Sequence, residues 1–102
     1  MSKTKSVKAS TPEELAEVLG LSFTDAQEWR VQADLLKRLQ RIVKENALTH
    51  AHVARRAGSS RTRVTAILNG NLQNVSIDLL VRLISASGYR VKVSVSKVKK
   101  AA

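Results

Sequence analysis

The chain has 102 residues, which suits one domain with one modest core. It has no cysteine, so a disulfide framework, a thiol nucleophile and cysteine-bound zinc are excluded, and no apolar run nears the ~18 residues of a membrane span. Eighteen Lys and Arg against eight Asp and Glu give a net charge of +10, a surplus that suits a polyanionic partner without choosing among DNA, RNA and anionic lipid.

Residues 1–10 are rich in lysine and serine, lack the apolar core of a signal peptide, and read as a disordered tail of a cytoplasmic protein. Thr11, Pro12, Glu13 and Glu14 then have the cap, first-turn proline and acids of a helix start. A short helix follows, with Leu15, Val18 and Leu19 on one face and a stop at Gly20. Thr24 and Gln27 have capping-box spacing, with Phe23 placed to staple the entry, so a helix is predicted over 25–45. Its apolar stripe is Trp29, Leu35, Leu36, Leu39, Ile42 and Val43, and Asn46 is its stop. Trp29 reads as a core or dimer contact.

Two short helices fit 49–57 and 60–68. Thr49 and Ser60 are their caps, and Gly58 is suited to the turn between them. Val53, Ala54 and Ala57 face inward from the first, and Val64, Ile67 and Leu68 from the second. The second helix then turns Arg61, Thr62, Thr65 and Asn69 outward, with Arg63 and Ala66 at the flanks. Arginines and hydroxyls near a helix N-terminus suit a major groove: Arg can bond guanine with two hydrogen bonds, and Thr can donate, accept or touch a thymine methyl. An ordinary amphipathic hairpin with a solvated polar face would show the same periodicity.

A loop is predicted over 69–74, then a helix over 77–87 capped by Ser76, packing Ile77, Leu80, Leu83 and Ile84 and ending at Gly88. From 90 to 96 the period changes to two. Val91, Val93 and Val95 alternate with Lys92, Ser94 and Ser96, the pattern of a half-buried strand. A lone strand leaves backbone groups unpaired, so the same strand of a second copy is its simplest partner, in a homodimer. A frayed basic tail is the plainer alternative. The three aromatics, Phe23, Trp29 and Tyr89, are too few for the stacking platforms of a single-strand binder.

The stretch "LTHAHVARRAGSSRTRVTAILNG", residues 48–70, resembles the helix-turn-helix of the Cro/CI (xenobiotic-response-element, XRE) phage-repressor family. With the preceding long helix and "NLQNVSIDLLVRLISASGYRVKVSV" after it, the likeness runs over about 12–98 and extends to the HigA-like antitoxin subgroup. The resemblance implies an all-α, five-helix, lambda-repressor-like domain over 11–98, with its helix-turn-helix at 49–69. One C-terminal strand at 90–96 is paired across a homodimer, and a basic tail covers 99–102.

The resemblance places Arg61, Thr62, Thr65 and Ala66 at base-facing positions and His50, Ser60, Arg63, Asn69 and Asn71 at phosphate-facing ones. This sequence has His50 where the family usually has glutamine, and Ser59 where it usually has an apolar residue. The implied partner is a pseudo-palindromic double-stranded operator. The implied function is transcriptional repression, of its own promoter above all, as the antitoxin of a toxin–antitoxin pair. The alternatives are a stand-alone repressor without a toxin and a charge-driven general nucleic-acid binder.

The charge is unevenly spread. Residues 10–34 hold six acids and one arginine, whereas 35–75 hold eight bases and one acid. The acidic band, with Glu13, Glu14, Glu17, Asp25 and Glu28, could meet a basic ribonuclease toxin, the partner the antitoxin likeness suggests, or could neutralise the chain's own basic body. Arg55 and Arg56 suit either phosphate or solvent. His50 and His52, two apart on a helix, cannot chelate one metal together. No catalytic constellation, metal cluster or cofactor motif is evident, so the expectation is a non-enzymatic protein without cofactor or membrane partner.

Overall fold

The computed structural model describes residues 22–98. They form four helices: α1 (Phe23–Glu45), α2 (His50–Ala57), α3 (Arg61–Leu68) and α4 (Ile77–Ala86). The short helix and acids expected over 11–20 lie outside the described residues.

Each helix begins on a serine or threonine in extended backbone whose hydroxyl accepts an orphan amide. Thr49 caps the His52 N–H at 3.0 Å, Ser60 the Arg63 N–H at 3.0 Å, and Ser76 the Leu79 N–H at 3.1 Å. For α1 the expectation is corrected. Ser22, not Thr24, is the cap, accepting from the Asp25 N–H at 3.1 Å, and the helix starts two residues early. Ser22 and Asp25 have the same spacing as the expected cap pair, and Asp25 complements the dipole from the first turn. Thr24 is thus helical, its hydroxyl bonded to that of Ser22, and Phe23 is exposed rather than stapling the entry.

All four helices close alike. An N–H beyond the helix end reaches back five residues, as in Leu48 to the Val43 carbonyl and Ser59 to the Ala54 carbonyl, and the residue just before it is left-handed. That residue is glycine at 58, 70 and 88 but Ala47, with φ of 51°, after α1.

One core joins the helices. Leu39, Ile42 and Val43 of α1 meet Val53, Ala54 and Ala57 of α2, Val64 and Ile67 of α3, Val75 of the loop, and Leu80, Leu83, Ile84 and Ala86 of α4. Leu35 and Leu36 pack at its margin, and Trp29 is half-buried. The alanines of α2 let it lie close against both α3 and α4, and α1 packs on α4 and α3.

The strand expected over 90–96 does not form within one chain. Among the described residues no strand forms, and 89–98 follow α4 without a ladder. Val91 is half-buried against the core, but Val93 is 81% and Val95 91% exposed. A strand requires a neighbour, and one chain offers this segment none.

Candidate nucleic-acid interface

Helix α3 is held from behind by Val64 and Ile67, which are almost fully enclosed, and by Leu68 at the core's edge. This fixes its opposite face outward. Arg61, Thr62 and Arg63 are exposed on the first turn, while Thr65 and Ala66 are half-buried. Arg61, Thr62, Thr65 and Ala66 together line one open surface depression. The four residues expected to face bases are therefore contiguous. No acid stands in the first turn of α2 or α3, so nothing there opposes an approaching polyanion.

The phosphate-facing set is divided. Ser60 holds its cap, and its O–H remains to donate. Asn69 and Asn71 are exposed beyond α3. The Asn71 Oδ1 accepts from the Gln73 N–H at 3.0 Å, which leaves its NH₂ outward-capable. Arg63 donates from Nη2 to the Asn74 carbonyl at 2.8 Å, so it braces the loop after α3. His50, at the start of α2, shares a 2.7 Å hydrogen bond between its Nδ1 and the Thr65 Oγ1 on α3.

Two glutamines of α1 complete the scaffold. Gln40 Nε2 donates to the Leu68 carbonyl at 2.9 Å, and Gln32 Nε2 to the Val75 carbonyl at 2.8 Å. Both fix the segment carrying Asn69 and Asn71. Sequence reasoning missed these, because a glutamine on a helix flank has no periodic signature. The sequence singled out His50, Arg63 and Thr65 as DNA-facing residues and gave no sign of the bonds they make within the chain.

Of the acidic band, Asp25 and Glu28 are exposed one turn apart on α1, whereas Glu13, Glu14 and Glu17 lie outside the described residues. No group of three or more His, Asp or Glu among the described residues could hold a metal ion, and no described helix is long and apolar enough to cross a membrane.

Two short helices at a tight glycine turn, the second packed by one face and bare on the other, define a helix-turn-helix. A family model described as "Helix-turn-helix domain" matches residues 15–96, and the chain belongs to that family. A solved structure described as "Putative XRE Family Transcriptional Regulator" is similar to it, with a TM-score of 0.65 and 28% identity, over 76% of this chain and 90% of that one. No curated protein matches the chain.

Proposed function

We propose that the chain is a sequence-specific regulator of transcription that binds double-stranded DNA through α3. The observation that carries this is the contiguous outward set Arg61, Thr62, Thr65 and Ala66 on a helix buried by its other face. Membership of the helix-turn-helix family and likeness to a protein described as an XRE-family regulator support it. Arg61 reads a guanine, Thr62 and Thr65 read donor, acceptor or methyl groups, and Ala66 offers a methyl contact. Ser60, Asn69 and Asn71 fix the register on phosphates.

The working form is a homodimer paired through Val91, Val93 and Val95, which spaces two copies of α3 for half-sites about one helical turn apart. Bound there, the dimer occludes a promoter, its own first of all. The exposed Asp25 and Glu28 favour a second role as an antitoxin, giving a basic ribonuclease toxin an acidic landing surface.

Fluorescence anisotropy at about 150 mM salt tests the reading, using duplex from immediately upstream of the chain's own gene and a scrambled duplex of equal composition. Preference of ~10³-fold or more for the first is expected. Equal binding to both, falling steeply with salt, would make the chain a charge-driven binder instead. The antitoxin role predicts that the product of an adjacent reading frame forms a complex that Asp25→Lys/Glu28→Lys weakens, with DNA binding intact.

A further inference from the structure

His50 and Thr65 stand 15 residues apart in sequence and on different helices, yet their side chains share the 2.7 Å hydrogen bond across the α2–α3 turn. Thr65 lines the depression with Arg61, Thr62 and Ala66, and both partners are half-buried. A threonine hydroxyl has one proton and two lone pairs, so what it gives one neighbour it withholds from the next.

We propose that His50 determines specificity through Thr65, by fixing whether the Thr65 hydroxyl keeps a proton to donate to a base edge. The inference rests on the DNA-reading role proposed above for α3. Where the His50 proton sits on Nε2, Nδ1 accepts from Thr65, and only lone pairs and the methyl remain for DNA. Thr65 then selects an amino group, on adenine N6 or cytosine N4, or a thymine methyl. Where Nδ1 carries the proton, Thr65 accepts from the ring with one lone pair and keeps its own proton, which adds the acceptors guanine O6 or N7, adenine N7 and thymine O4 to the groups it can meet. Without the ring the hydroxyl rotates and serves either class. The His50 Nε2 makes no hydrogen bond to a described residue, so a phosphate contact at that atom is compatible with this role. The two roles differ in what they change: a phosphate contact alters affinity on every sequence alike, whereas the Thr65 contact alters the choice at one base pair.

The experiment is selection from a randomised duplex library at about 150 mM salt, with the full chain, His50→Leu, Thr65→Val and the double variant. Thr65→Val keeps the branched shape, and thermal melts followed by circular dichroism confirm that each protein folds. The position whose preference disappears in Thr65→Val marks the base pair that Thr65 reads. At that position His50→Leu is expected to lower discrimination about three- to tenfold, the worth of one ordinary hydrogen bond. In the Thr65→Val background the same change is expected to do nothing further there. The ¹⁵N shifts of the His50 ring report its tautomer, which must agree with the class of base group selected.

A wild-type selection that His50→Leu leaves unchanged at that position overturns the proposal, as does equal loss in both backgrounds or an Nε2–H ring beside a selected base acceptor. If the wild-type chain enriches no sequence at all, the DNA reading itself has failed and takes this proposal with it, an outcome distinct from the others.

Discussion

Arg61 and Arg63 stand two positions apart on the first turn of α3, and their surroundings divide their roles. Arg61 is exposed beside the depression, while Arg63 is tied to the Asn74 carbonyl, where the backbone takes a φ of 60°. Arg61→Ala is expected to cost ~1–3 kcal/mol of operator binding and to relax the choice at one base pair. Anisotropy over a set of singly substituted operators reads this directly, and an unchanged affinity would show that the helix docks otherwise. Arg63→Ala is expected to leave the base preference intact and to free the loop instead. Its signature is faster amide exchange over 72–76, with a stability loss no greater than the ~0.5–1.5 kcal/mol of one hydrogen bond, since the pair is exposed.

At the scale of elements, the left-handed closures allow a paired prediction. Gly58 has a φ of 72° and space where a Cβ would go, so Gly58→Ala costs only backbone strain, about 1–2 kcal/mol. Ala47 already bears that strain at φ 51°, so Ala47→Gly is expected to return up to about 1 kcal/mol. Urea unfolding of the two variants should therefore move in opposite directions. A drop in stability for Ala47→Gly would mean that unfolded-chain entropy outweighs the local strain. Closures and caps of this kind were largely legible, because a cap and the amide it satisfies lie three residues apart. Thr49, Ser60 and Ser76 were found from spacing alone. At Ser22 two overlapping cap patterns competed, and the earlier one prevailed. The contacts that sequence could not supply join residues far apart in the chain: His50 to Thr65, Arg63 to Asn74, and Gln40 to Leu68. Periodicity assigns such residues a face and says nothing of what they meet there.

For the whole molecule, the proposed homodimer rests on the segment after α4 and makes a prediction about its register. Opposite residues of a strand pair share one face, so the valines can face each other only in certain registers. An antiparallel pair with its twofold axis on Val93 sets Val91 opposite Val95 of the partner subunit and Val93 opposite Val93 of the partner subunit. The same register sets Lys92 opposite Ser94 of the partner subunit and Arg90 opposite Ser96 of the partner subunit, so no two cations meet. Moving the axis to Lys92 opposes two lysines, and moving it to Ser94 sets Val91 against Lys97. The register on Val93 alone keeps valine on valine and cation on serine. Because the chain has no cysteine, it can be tested with single substitutions. Cα atoms across an antiparallel pair lie ~4.5–5.5 Å apart, within disulfide reach, so Val93→Cys is expected to oxidise to a covalent dimer that binds operator as the wild type does. Val95→Cys is expected to stay uncrosslinked, because the two copies of residue 95 would lie four residues apart along the pair, ~13 Å. Crosslinking of Val95→Cys alone would move the axis. A chain that sediments as a monomer and crosslinks at neither position would remove the strand pair, and the two α3 helices would then need another surface to reach successive grooves together.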